Sequence, residues 1–135
     1  MANQPGSFAW YELLTTDVAA AGAFYGKVVG WGAADASTPE LAYTMLTAGE
    51  VPVGGVMDLP EEGRRHGATP RWLGYVAVDD IDATASQIRR RGGAVLLPPT
   101  DSNIGRVSVV ADPQKATFAL VEGLTYGPQQ PGGLD

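Results

Sequence analysis

The feature that most restricts this chain is a repeat, because its punctuation occurs twice at a spacing of 63 residues. ELLTTDVAAAGAFYGKVVGW ends a β-rich run at Asp17, continues with helical spacing and stops at Gly30. YVAVDDIDATASQIRRRGGA does the same at Asp80 and Gly93. Self-similarity at a fixed spacing means one supersecondary unit built twice. Both aspartates are expected helix N-caps, since a carboxylate there accepts from the unpaired N–H groups of the first turn. Both glycines are expected helix stops, where a left-handed residue is wanted. Val18, Ala21, Gly22 and Tyr25 match Ile81, Thr84, Ala85 and Ile88, each set lying on one helical face.

The same spacing lays YTMLTAGEVPVGGVM (43–57) over RVSVVADPQKATFAL (106–120) without a gap. Each reads as strand, tight turn, strand. WGAADAS and AVLLPPT, between helix and hairpin, each read as one further strand. The fold class expected is therefore α+β: two tandem βαβββ modules, 8–57 and 71–122, forming a curved mixed sheet. Residues 58–70 are the expected linker and the Gly- and Pro-rich 123–135 a flexible tail. A length of 135 residues suits a single domain, 1–135.

Charge and composition narrow the partners. Nine Lys+Arg against fifteen Asp+Glu give a net charge of -6, and the basic clusters at 64–66 and 89–91 are short. A polyanion is repelled by such a chain, so nucleic acid is set aside as a partner. No apolar run approaches the ~20 residues that span a bilayer, so no membrane association is expected. The chain has no Cys, which removes disulfides, thiolate metal ligands and a Cys nucleophile together. With no signal-like start in MANQPGSFAW, the expected location is cytoplasmic. There is no Walker loop and no G-x-S-x-G elbow, and one His cannot support a convincing triad.

In order along the chain, WYELLTTD leading into AFYGKVVGW, then RWLGYVAVDDIDA, GGAVLLPP, the Gly105-Arg106 pair and DPQKATFAL resemble the vicinal oxygen chelate superfamily. That superfamily holds glyoxalases, bleomycin-resistance proteins and extradiol dioxygenases. The resemblance covers about Phe8 to Glu122 and implies the glyoxalase/bleomycin resistance-like fold. In the family's metalloenzymes each module offers one metal ligand from its first strand and one from its last. Carried over, these positions are Trp10 and Leu73, then Ala119 and, by the 63-residue offset, Val56. None offers a lone pair to a divalent cation. The resemblance thus implies a branch without metal ligands, and no metal and no cofactor are expected. His66, alone in the linker beside Arg64 and Arg65, reads as a solvated loop residue.

The resemblance also places the ligand positions in a cup on one side of the sheet. Alternation then puts Trp10, Glu12 and Leu14 on that face of the first strand, with Leu73, Tyr75 and Ala77 on its counterpart. Tyr11, Leu13 and Val76 would face the helices as core. The expected ligand-binding residues are Trp10, Tyr43, Val56, Leu73, Tyr75, Arg106 and Ala119. Trp10 is either a core filler or a stacking plate for a flat molecule. Glu12 is the candidate catalytic residue. Buried ionised it is costly unless paired, so either Arg106 or a base from a partner chain pairs with it, or desolvation raises its pKa and fits it for acid–base work. Asp112 reads as turn chemistry and Lys115 as exposed.

The function these residues favour is binding of a small, flat or aromatic molecule in a metal-free cup. The alternative is a metal-independent isomerase, cyclase or lyase using Glu12 as acid or base. A module packed shut by Trp10, Leu73 and Tyr75 comes third, and a metal-dependent glyoxalase or dioxygenase ranks below all of these. Family analogy and open sheet edges add a homodimer as the expected assembly.

Overall fold

The computed structural model describes residues 4–125. The elements in chain order are β1 (Phe8–Thr15), α1 (Val18–Val29), β2 (Gly32–Asp35), β3 (Thr44–Ala48), β4 (Val51–Asp58), α2 (Glu61–Arg65), β5 (Arg71–Ala77), α3 (Ile81–Arg90), β6 (Ala94–Ser102), β7 (Gly105–Ala111) and β8 (Thr117–Glu122). The order is βαβββ twice with the short α2 between, which is the α+β duplication the repeat calls for. Two compact units divide the chain: Tyr11–Trp72, and Leu73–Asp135 together with Met1–Trp10.

In the unit Tyr11–Trp72 the strands lie in the order β2-β3-β4-β1. The two hairpin pairings are antiparallel, while β1 and β4 run parallel with Glu12 opposite Gly55 and Leu13 opposite Val56. One face is covered by α1, whose Val18, Ala21 and Tyr25 pack with Trp31 and Val53 on buried Leu13, Leu46 and Val56. Asp17 caps this helix by accepting from the Ala20 N–H at 3.0 Å. Gly30 ends it in the left-handed region, φ 79°.

In the other unit the order is β5-β8-β7-β6, with β5 and β8 parallel and the rest antiparallel. Here α3 lays Ile81 on Val110 and Leu120, ringed by Val76, Val78, Ile88, Val95 and Phe118. Asp80 repeats the cap by accepting from Ala83 N–H at 3.0 Å. The chain ahead of β1 joins this unit: Gly6 donates to the Ala77 carbonyl at 2.8 Å and Ala77 donates to that of Ser7 at 2.9 Å.

The structure corrects two details of the repeat. The left-handed residue after α3 is Gly92, φ 93°, rather than Gly93, because this helix ends at Arg90 and its cap at Arg91. Gly93 is needed for a different reason: a Cβ there would meet the Ala111 carbonyl at 2.5 Å and Ile88 at 2.8 Å. The spacing also changes along the chain. Leu13 matches Val76 at 63, but Leu46 and Val56 match Val110 and Leu120 at 64, as both clusters and both parallel registers require. A residue is therefore gained between helix and hairpin in the second copy. In a strand a slip of one exchanges the two faces.

Of the expected tail, Thr125 donates its N–H to the Ile104 carbonyl at 2.9 Å, and 126–135 lie outside the described residues. Among the described residues no helix is long and apolar enough to cross a membrane.

Candidate functional site

The chemistry-bearing group in the unit Tyr11–Trp72 is built on the sheet face away from α1. Leu13 turns towards the helix, so its neighbour Glu12 turns to the other side and is 3% exposed. Tyr43, just ahead of β3, is equally buried and donates its hydroxyl to Glu12 Oε2 at 2.6 Å. Its backbone is fixed by Ser37, whose Oγ accepts the Tyr43 N–H at 3.0 Å. Ser37 in turn donates its hydroxyl to Asp35 at 2.6 Å and its N–H at 3.0 Å, which holds the Asp35 carboxyl below the ordinary carboxylate range.

Gly55 makes the Glu12–Tyr43 contact possible. It lies opposite Glu12 in the β1–β4 register, and a Cβ there would overlap the hydroxyl end of the Tyr43 phenol. The missing side chain is the slot through which the phenol crosses β4. A carboxylate out of water is costly unless it is hydrogen-bonded, and a donor to an ionised group makes a short, strong bond. The pair is a fixed polar point on an apolar face that includes buried Met45, and it can accept a hydrogen bond or carry a proton.

Among the described residues, the matching face of the other unit holds Tyr75 among apolar residues and no carboxylate. Val76 and Leu120 pack with α3, so Tyr75 and Ala119, paired in register, turn away from it with Leu73. Their exposures are 5%, 0% and 4%. Tyr75 stands where the first copy has Glu12. Val107, opposite Val121, stands where it has Tyr43. Trp10 is 1% exposed.

Two expected binding residues fall on the wrong face. Val56 packs under α1 with Leu13 and Leu46. Arg106 turns towards α3, with Nη2 on Asp82 at 3.3 Å and Nη1 on Asp101 at 3.5 Å. Donation to Asp82 raises this guanidinium further above its ordinary pKa. Both errors share one cause, since both residues were carried by the 63-residue offset into a region where the true offset is 64. The partner seen on Glu12 is accordingly Tyr43 and not Arg106. Tyr11, expected as core, is 46% exposed.

Asp112 accepts from the N–H groups of Gln114 and Ala116 at 2.9 Å, the turn chemistry expected of it. Lys115 is exposed and left-handed, φ 76°. His66 is exposed at the end of α2, 2.9 Å from the Glu62 carbonyl. Gly55 was the residue missed. Its signal was the Gly54-Gly55 pair inside a strand pattern, which marks close approach by other atoms.

A family metal does not fit these residues. Trp10, Leu73, Ala119 and, by the observed register, Gly55 supply no donor side chain. Among the described residues no group of three or more His, Cys, Asp or Glu could hold a metal ion.

Comparison with known proteins agrees with this architecture. The family model for the Glyoxalase/Bleomycin resistance protein/Dioxygenase superfamily matches residues 7–120. CFP32 of Mycobacterium tuberculosis, which carries a provisional glyoxylase name, is 40% identical over 135 residues, covering 96% of this chain and 48% of that protein. The anthracycline biosynthesis protein DnrV of Streptomyces peucetius is 35% identical over 128 residues, covering 86% and 46%. The chain thus spans about half the length of the curated relatives it matches. Among solved structures, a Streptomyces coelicolor methylmalonyl-CoA epimerase with 2-nitronate-propionyl-CoA aligns with a TM-score of 0.62 at 17% identity, covering 92% of this chain and 99% of its own. The Mycobacterium tuberculosis methylmalonyl-CoA epimerase gives 0.62 at 15%, covering 98% and 97%. At these identities the likeness shows the fold.

Proposed function

The chain belongs to the Glyoxalase/Bleomycin resistance protein/Dioxygenase superfamily, and we propose that it binds a small, flat or aromatic molecule without a metal. The observation that carries this reading is the buried Glu12–Tyr43 pair on the helix-free face, a fixed polar point in apolar surroundings. Ligand sites combine a mostly apolar lining with a few placed polar groups. Leu73 and Ala119 supply buried apolar surface in the other unit with the Tyr75 ring between them in chain order, and Trp10 is a buried aromatic plate two residues from Glu12 in sequence. The name of DnrV adds a chemical direction, because anthracyclines are fused-ring aromatics bearing hydroxyl groups. A hydroxyl on such a ring is the donor a carboxylate accepts best.

The test is titration of hydroxylated fused-ring aromatics into the protein, followed by quenching of tryptophan fluorescence. Binding in the micromolar range is expected, with Glu12→Gln and Tyr43→Phe each weakening it by about tenfold, the worth of one hydrogen bond to a charged group. Saturation by no compound in the panel, or affinities indifferent to both substitutions, overturns the reading. Metal content is measured on the same preparations. Stoichiometric metal with a melting temperature that falls on chelation overturns the metal-free part.

A second reading is favoured by the same pair: Glu12, with one oxygen held by a phenol, acts as acid or base in a metal-independent isomerisation, cyclisation or elimination. Turnover that Glu12→Gln abolishes while binding survives selects this reading over binding alone.

A further inference from the structure

The tip of the β2–β3 hairpin departs from a plain ladder at one bond, and that bond belongs to Tyr43. The register that sets Asp35 opposite Thr44 continues outward, with Ala36 opposite Tyr43 and Thr38 opposite Leu41. Thr38 and Leu41 exchange both backbone bonds, at 2.8 and 3.2 Å, as a hydrogen-bonded antiparallel pair does. Ala36 and Tyr43 are the next such pair and make only one of the two. The Ala36 N–H reaches the Tyr43 carbonyl at 2.9 Å, but the Tyr43 N–H goes to Ser37 Oγ at 3.0 Å instead of the Ala36 carbonyl. In the second copy Val107, the counterpart of Tyr43, stays within β7 in register with Thr100. The copy with no phenol to aim keeps its ladder.

A serine hydroxyl has one proton to give and lone pairs to accept with. Two acceptors compete for the Ser37 proton: the Asp35 carboxylate at 2.6 Å and the Tyr43 carbonyl at 3.4 Å. The carboxylate wins on distance and on charge. Both Ser37 donations favour the ionised form of Asp35, which accepts only and returns no proton. The Ser37 proton is therefore committed, and its lone pairs are left for the Tyr43 N–H. Asp35 and Ser37 are exposed, whereas Tyr43 is 2% exposed. A chain of three hydrogen bonds thus links a surface carboxylate to buried Glu12.

We propose that Asp35 and Ser37 are positioning residues, which aim the Tyr43 phenol through the Gly55 slot at Glu12 from outside the site. Without Ser37 Oγ the Tyr43 N–H can return to the Ala36 carbonyl, which completes the ladder. A turn of the backbone at residue 43 swings the ring, and a slot the width of one missing side chain tolerates little swing. Without Asp35 the Ser37 proton falls to the Tyr43 carbonyl, which already accepts from Ala36, and the aim is loosened less. The part these residues play in ligand binding rests on the reading of Glu12 and Tyr43 as the site. The aim itself is a property of the free protein.

Carbon-13 placed at the tyrosine ζ position reads the hydrogen bond of each phenol by NMR. The chain has five tyrosines, and the line lost in Tyr43→Phe assigns Tyr43. In the unsubstituted chain that line should stand apart from those of exposed tyrosines and move on Glu12→Gln. Ser37→Ala should carry it more than half of the way to the exposed lines, and Asp35→Ala less far. The double variant should go no further than Ser37→Ala, since Asp35 acts through Ser37. Ser37→Thr, which keeps the oxygen, should restore the line. A merely structural role would lower the melting temperature and leave the line in place. A line unmoved in Ser37→Ala, additive shifts in the double variant, or no recovery in Ser37→Thr overturns the proposal. With the hydroxylated aromatics, Ser37→Ala should approach the loss of about tenfold expected of Tyr43→Phe and add nothing to it. A panel in which nothing binds overturns the ligand reading alone, because the Tyr43 line still decides the positioning.

Discussion

The two βαβββ copies spend the same architecture differently. The second sinks its helix, with Ile81 0% and Ala85 2% exposed, and turns charges outward. The first buries no residue of α1, edges it with aromatic rings and leaves apolar surface outside. On the opposite face the second copy sets Tyr75 with Val107 and Ala119, while the first holds a carboxyl group against a phenol. Among the described residues the second half buries no carboxyl group, while the first holds one out of water against a phenol, which costs less for being hydrogen-bonded.

Matching positions make that contrast breakable. The largest effect is expected at the helix starts, where Ile81→Ala should cost about 2–5 kcal/mol. Val18→Ala, at the paired position, leaves a half-buried site and should cost about 1 kcal/mol. Urea unfolding measures both, and equal costs would break the assignment of stability to the second copy. A smaller effect separates Gly55 and Ala119, which match across the registers. Gly55→Ala must push Tyr43 off Glu12 and should cost about 1–3 kcal/mol with loss of ligand affinity. Ala119→Gly should cost about 1 kcal/mol through backbone freedom, unless the lost methyl leaves a cavity. The smallest lies in the hairpin turns, where the left-handed residue is Gly49 in the first copy and Lys115 in the second. Lys115→Gly should raise stability by up to about 1 kcal/mol, read as a higher melting temperature. A fall would mean that the lysine side chain holds the turn.

The duplicated fold was legible because its signals are local and redundant. Asp17 and Asp80 cap helices for reasons contained within one turn, and alternation in WYELL and LGYVA fixes faces over a few residues. Glu12, Leu73 and Tyr75 turn away from their helices, as that alternation requires. Val56 and Arg106 failed because their faces were inferred by carrying a spacing across a loop. The extra residue lies where the copies share no punctuation, so identities on either side cannot locate it. The Tyr43–Glu12 bond was out of reach for another reason. It joins residues 31 apart through a gap that exists only because residue 55 lacks a side chain, and only coordinates show a gap.

The backbone bonds that tie Gly6 and Ser7 to Ala77 put the encoded repeat and the folded unit out of phase. Cutting the chain between the repeats, after Pro70, would leave the second piece without the opening residues that complete its own sheet. Fragment complementation should therefore work poorly at that natural-looking junction. A circular permutant that moves residues 4–10 to follow the second repeat would carry those bonds with it. The ancestral unit can still be read in the letters, but it is no longer the piece that can be taken away whole.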